Sequence, residues 1–279
     1  MTLRFAYNTN GTASHRLDDA LVLLSEAGYD GVALTLDVNH FDPFGPDWEG
    51  AAIRLSGRLA ELGLGSVIET GARYLLDPRA KHEPTLVTAS ADGRARRVAF
   101  LKRAFDVGAI LGSEAVSFWA GVPKAGVRPE DARGWLAEGL AGVVAHAASV
   151  GIDAALEPEP GMLVETVDDY AALARDLPGL KLALDTGHCI VTGERNPADA
   201  VREFGARVAT VSIEDMKQGE HVHLAFGEGD MDVPGVLDAL EAIRFERLVC
   251  VELSRDSHRA DTMIPAAIRY LRGCRRDAA

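Results

Sequence analysis

The chain has 279 residues, 47% of them hydrophobic and 25% charged, which is enough apolar material for a substantial core and too much for a disordered polymer. Its formal net charge of −13 argues against a nucleic acid or a membrane as partner, because gripping phosphate backbones or anionic lipid takes dense lysine and arginine; a small anionic substrate stays open. The three cysteines, Cys189, Cys250 and Cys274, are widely spaced and form no metal or redox pair, no signal segment is visible, and no apolar run reaches the roughly 20 residues of a bilayer span, so a soluble cytoplasmic protein is expected.

In chain order, the apolar run LRFAY (3–7) is followed by LDDALVLLSEAG (17–28), where Leu17, Leu21 and Leu24 keep helical spacing and a glycine closes the segment. The run GVALTL (31–36) precedes a helical segment over 48–63, GSVIE (65–69) one around 94–111, and EAVSFW (114–119) one over 129–151. IDAALE (152–157), LKLALD (180–185), RVATVSI (207–213) and RLVCVEL (247–253) alternate with helices near 167–176, 197–205, 233–243 and 260–272. Most runs are apolar at consecutive positions, as suits parallel strands covered on both faces. Eight strand-helix units predict a single (β/α)8 TIM barrel, an α/β fold, with residues 1–279 as one domain. The competing doubly wound sheet lacks its glycine-rich turn after the first strand, and no phosphate loop occurs.

A barrel of this kind does its chemistry at the C-terminal ends of the strands. Asn8, Asp37, Glu69, Glu157, Asp185, Ser212, Glu214 and Glu252 all fall there. So do His15, His40, His82, His188, His221, His223 and His258, each expected in a loop after a strand, while His146 falls within a helix. One such histidine is ordinarily a loop side chain; carboxylates and imidazoles gathered on one rim point to a metal or an acid-base site. Glu157, Asp185 and Glu252 each close an apolar run and would converge on the barrel axis, where their like charges repel. A divalent cation resolves that repulsion, and oxygen ligands with an imidazole suit Mn²⁺, Mg²⁺, Co²⁺ or Zn²⁺.

The segments ALEPEPG (155–161), LALDTGH (182–188), VSIEDM with HLAFGEGDMD (211–232) and VCVELS (249–254) resemble, in order, the signature segments of the xylose-isomerase-like TIM-barrel superfamily of sugar phosphate isomerases and epimerases. The resemblance implies that Glu157 and Glu252 bind the metal and serve as the acid-base pair. It further implies that Asp185 is a third ligand and that His188 hydrogen-bonds a substrate oxygen. Where the family carries a histidine ligand near the end of the seventh strand, this chain has Ser212, a poor ligand for a borderline metal. Water or substrate completes the shell, His221 or His223 replaces the lost ligand, or metal binding is weakened; His223 is the replacement expected here. Asp185, Thr186 and Gly187 also read as a helix cap and turn, with Gly187 permitting the turn.

The residue types fit proton transfer beside a carbonyl: a base takes the C–H proton, an acid returns it, and a metal stabilises the enediolate between. The substrate expected is a sugar, sugar phosphate or cyclitol ketone. A hydro-lyase acting on a keto-cyclitol, resembling inosose dehydratases, shares the first step, and a non-catalytic sugar-binding descendant is the third alternative. Apurinic endonucleases share the superfamily fold, but the acidic composition speaks against DNA. The long connection 68–86 offers Glu69 and Arg73 as substrate contacts, with Arg79 and Lys81 as further grips for an anion and Tyr74, Leu75 and Leu76 to fold it down as a lid. His40, Phe41, Phe44 and Trp48 supply a second wall, and Trp119 and His221 complete the candidate substrate contacts. The sequence is compatible with a homo-oligomer.

Overall fold

A computed structural model describes residues 2–276; Met1 and residues 277–279, which the expected domain includes, lie outside the described residues. The first half of the chain alternates β1 (Arg4–Asn8), α1 (Leu17–Ala27), β2 (Gly31–Thr35), α2 (Trp48–Leu62), β3 (Gly65–Glu69), α3 (Ala91–Leu111), β4 (Ala115–Trp119) and α4 (Pro129–Val150). The second half adds β5 (Asp153–Glu157), α5 (Val167–Asp176), β6 (Leu180–Asp185), α6 (Thr186–Thr192), α7 (Pro197–Phe204) and β7 (Val208–Ile213). A ribbon of β8 (Asp215–Lys217) and β9 (Glu220–Leu224) follows, then α8 (Val233–Ala242), β10 (Leu248–Val251) and α9 (Ala260–Arg276).

The closed sheet runs β1-β10-β7-β6-β5-β4-β3-β2, parallel throughout, so the expected (β/α)8 barrel is what the chain forms. Each of the eight apolar runs supplies one of its strands. Residues alternate between the inside of the cylinder and the helical layer. The inner face carries Ala6, Ala33, Val67, Leu248 and Cys250 on one side and Ala115, Ala155, Ala183 and Ala209 on the other. The outer face is bulkier, with Phe5, Leu34, Phe118, Leu156, Leu184 and Val249 packed beneath the helices. Arg4 reaches the Glu114 carboxylate, which precedes β4, at 2.6 Å, and the same carboxylate accepts from the Leu248 amide at 2.9 Å. These contacts tie the N-terminal ends of β1, β4 and β10 together and leave the opposite mouth for the site.

Helix ends follow local chemistry. Gly28 sits at φ 88 after α1 and its amide caps Leu24 and Ser25 carbonyls, a conformation that costs other residues a β-carbon clash. Thr166 and Asp169 form a reciprocal cap at the start of α5. Among the described residues, no helix is long and apolar enough to cross a membrane.

Candidate active site

A cavity of about 350 Å³ opens at the C-terminal mouth of the barrel. Inward-facing strand ends put Glu69, Trp119, Glu157, Asp185 and Glu252 on its wall, joined by Arg73, His188, His221 and His223. Ser212 and His40, also candidates from the sequence, do not line it. Ser212 pairs with Asp185 across β6 and β7, and His40 lies in the turn after Asp37 with neither ring nitrogen hydrogen-bonded.

Asp185 ends β6 and is at once the N-cap of α6. Its Oδ1 accepts from the amides of Gly187 at 2.8 Å and His188 at 3.1 Å, while Oδ2 is buried with no hydrogen-bond partner. The cap and the functional reading therefore describe the two oxygens of one carboxylate. Gly187 is not left-handed; its role is close approach, since a β-carbon there would collide with Glu214 Oε1 and come within 2.8 Å of Met216 Cγ. His188 accordingly stands on a helix rather than in the expected loop, and His221 and His223 stand on β9. Alternation along β9 puts those two imidazoles on one side of the ribbon, against the cavity.

Three overlapping groups of side chains, each with ligand atoms within 4.8 Å of one another, could hold a cation: Glu157, Asp185 and His188; Asp185, Glu214 and His223; Glu159, His188 and His221. Glu252 stands beside them, its Oε1 4.0 Å from His223 Nε2. The donor chemistry fits a divalent ion. Asp185 Oδ2, both Glu214 oxygens and His223 Nδ1 are buried and lack a hydrogen-bond partner, a costly state that a bound cation relieves.

Glu252 is held from the far side. Asn10 Nδ2 donates to its Oε1 at 2.7 Å, Arg73 donates to the Asn10 carbonyl at 3.0 Å, and the buried Asp37 Oδ2 lies 3.7 Å from Arg73 Nε. Arg73 is thus occupied within the protein, and Arg79 is absent from the cavity wall, whereas Lys81 lies on it. Trp119 forms part of the wall, with the His82 ring edge-on at 5.6 Å and the buried Arg97 guanidinium 4.4 Å over its ring. Of the expected aromatic wall, Phe41 is buried in the core, Phe44 packs toward Phe100, and Trp48 lies under Arg103. In the 68–86 connection Leu76 is buried, while Tyr74 is 49% exposed and does not line the cavity.

Electrostatics at the mouth follow from burial and crowding. Burial, then the charge of Glu159 and the other carboxylates, pushes Glu157 well above the usual carboxylate range. Glu69 is raised by burial and by Glu252, and Glu214 by burial and by Asp185. Asp185 runs the other way. Burial opposes its ionisation, yet His188, His223, a proton shared with Glu214 and the His188 amide together hold it below its ordinary value. Burial depresses His188, but Asp185 and Glu159 outweigh that and leave it raised.

Three residues take part in the site with little signal in the sequence. Asn10 reaches Glu252 from the turn after β1. Glu159, one proline beyond Glu157, reaches the cavity from the loop after β5, and only the paired spelling EPEP hints at it. Glu214 falls on the rim without an evident role in the sequence, because its burial depends on α6 packing over it.

A family model described as a xylose isomerase-like TIM barrel matches residues 21–274. No curated protein matches the chain. Among solved structures the chain is similar to one described as L-ribulose 3-epimerase, at 21% identity and a TM-score of 0.79 over 99% of this chain and 97% of that one. It is also similar to a D-allulose 3-epimerase from Methylomonas sp. in complex with D-allulose, at 18% identity and a TM-score of 0.75 over 97% and 96% of the two chains. A third, the IOLI protein with a binding zinc atom, is 18% identical with a TM-score of 0.73 over 99% and 97%. At these identities the likeness to solved structures shows a shared fold.

Proposed function

This chain belongs to the xylose isomerase-like TIM barrel family, and we propose that it is a metal-dependent isomerase or epimerase of a sugar, sugar phosphate or cyclitol ketone. One observation carries the reading: Glu157 from β5 and Glu252 from β10, strands separated in the barrel by β6 and β7, line one cavity with Asp185 and His188 between them. Two carboxylates facing each other across a bound ketone suit removal of a proton from the carbon beside the carbonyl and its return to the other face or the neighbouring carbon. The epimerases among the structural neighbours, one of them holding D-allulose, support a small sugar as partner.

In this reading Glu252, oriented by Asn10, and Glu157, whose buried carboxyl takes up a proton readily, divide the two proton transfers. The residues that would hold the cation are those of the overlapping groups around Asp185, namely Glu157 and His188 or Glu214 and His223, with Glu252 beside them. A divalent ion bound there supplies electrostatic stabilisation of the negative charge developing on the substrate oxygens. His188 orients a substrate oxygen beside Asp185, and Trp119 and Met162 form the apolar part of the wall that limits water at the reacting carbon.

The test is incubation of the full chain with a panel of ketoses and keto-cyclitols in D₂O and Mn²⁺. Deuterium uptake beside the carbonyl without loss of water is the expected result, and Glu157→Gln and Glu252→Gln should each abolish it. Release of water would make the protein a hydro-lyase. Absence of both across the panel would leave a binding protein.

A further inference from the structure

The geometry points to a metal centre displaced along the barrel wall: the ion is held by Asp185, Glu214 and His223, with Glu214 supplying the ligand that Ser212 cannot. The inference rests on reading the cavity as a metal site, and it is independent of the reaction assigned to that site.

Strand parity makes the substitution possible. Ser212 is paired with Asp185 and shares its inward direction, and the alternation carried one step past the end of β7 brings Glu214 to the same side. Glu214 is fully buried, no N–H or hydroxyl donates to either of its oxygens, and the side chain its carboxyl meets is another acid, Asp185. A carboxyl group in that condition calls for a cation or a shared proton. The surroundings favour the cation. Asp185 spends Oδ1 on the α6 amides and leaves Oδ2 with no hydrogen bond, His188 Nε2 standing 3.4 Å from it. His223 turns Nδ1, also unpartnered, to within 3.9 Å of Glu214 Oε1, and the three ligand atoms lie within 4.8 Å of one another.

The other face of His223 agrees. Its Nε2 lies 4.0 Å from Glu252 Oε1, so an N–H on that nitrogen leaves Nδ1 as a bare lone pair for the metal. A ligating imidazole that presents its second nitrogen to a carboxylate is the usual arrangement around protein metals. Room for Glu214 comes from Gly187, where any β-carbon would occupy the space of Oε1. Two carboxylate oxygens and one imidazole suit Mn²⁺, Co²⁺ or Zn²⁺.

Titrating metal-stripped full-length protein with Co²⁺ alone, followed by calorimetry and by the visible absorption of the ion, tests this. Glu214→Gln is expected to weaken Co²⁺ binding more than about a hundredfold, beyond the roughly 10–100-fold that loss of an outer hydrogen bond to a ligand costs. His223→Gln should weaken it and alter the absorption bands as a nitrogen ligand is lost; this partly exposed position gives a second readout if the first variant folds poorly. Binding by Glu214→Gln within about a hundredfold of the parent, or His223→Gln leaving the spectrum unchanged, would overturn the proposal. Tighter binding by Ser212→His with Glu214→Gln silent would mean that water fills the lost position. Failure of deuterium exchange with the Co²⁺ results intact would sink the reaction and leave the centre.

Discussion

The Nε2 atoms of His188 and His221 lie 3.1 Å apart, a separation that demands one proton between two nitrogens. His188 Nδ1 lies 2.8 Å from the Pro158 carbonyl, which can only accept, so Nδ1 carries hydrogen. Asp185 Oδ2, 3.4 Å from Nε2, favours a second proton there. His188 is therefore the charged partner and His221 the acceptor. Burial, then the charge on His188, pushes His221 down to about 4. In chelator-treated protein, proton NMR of the imidazoles should find His188 titrating above its ordinary value and His221 below. Replacing His188 by Gln should raise His221, though only partly, because burial is the larger cause. An unmoved His221 would mean that the two rings do not share a proton.

Gly187→Ala tests how closely α6 approaches β7. Alanine suits a helix better than glycine by roughly 1 kcal/mol, yet its β-carbon would meet Glu214 Oε1 and Met216. Overpacking of this kind costs about 1–3 kcal/mol, so a net loss is expected, read as a lower urea midpoint with an unchanged slope. A midpoint at or above the parent's would show that α6 can back away, and Glu214 would then lose its confinement.

What the sequence revealed and what it hid divide along physical lines. Eight buried strands announce themselves because each is apolar at consecutive positions, and parity then predicts that Glu157, Asp185 and Glu252 look inward. Glu159 lies beyond the end of β5, where alternation is no longer imposed by the sheet; it faces the cavity from a loop in which its amide bonds the Val164 carbonyl. The β8-β9 ribbon had a readable signal in MKQGEHVHL: Gln218 and Gly219 form a two-residue turn, Gly219 takes φ 75, and Lys217 faces Glu220. Helix α6 showed only its cap at Asp185, because seven residues give too little periodicity, and the burial of Glu214 went unread with the rest of the helix. His40 carried the right chemistry for the rim but packs outside the cavity lining, and Ser212 keeps the inward direction of its partner Asp185 without reaching the cavity wall.

Asn10 fixes the proposed base. Its 2.7 Å bond to Glu252 Oε1 is charge-assisted and backed by Arg73. Such bonds contribute about 1.5–3 kcal/mol. Asn10→Ala should therefore slow deuterium exchange roughly 10–100-fold, acting on kcat with little change in KM. Asn10→Asp sets a second negative charge against Glu252, disfavours its ionised form, and should shift the lower limb of the pH-rate profile upward. An unshifted profile in Asn10→Asp would remove Asn10 from any link to proton transfer.

His40 should make the fold sensitive to mild acid. Its side chain is fully buried, and burial lowers its pKa even though Asp37, 4.0 Å away, pulls the other way. Unfolded chains protonate histidine at about 6.5. Between that pH and the lower folded-state value the unfolded chain holds more protons, so stability is complete above about 6.5 and declines as pH falls through this window. His82 and His221 are also depressed and act in the same sense, whereas the raised His188 acts in the opposite one. The His40 share is isolated by comparison with His40→Gln: urea midpoints measured at falling pH should drop more steeply for the parent. Parallel curves would show that His40 takes its proton as easily in the folded chain as in the unfolded one, and the buried imbalance beside Asp37 would be refuted.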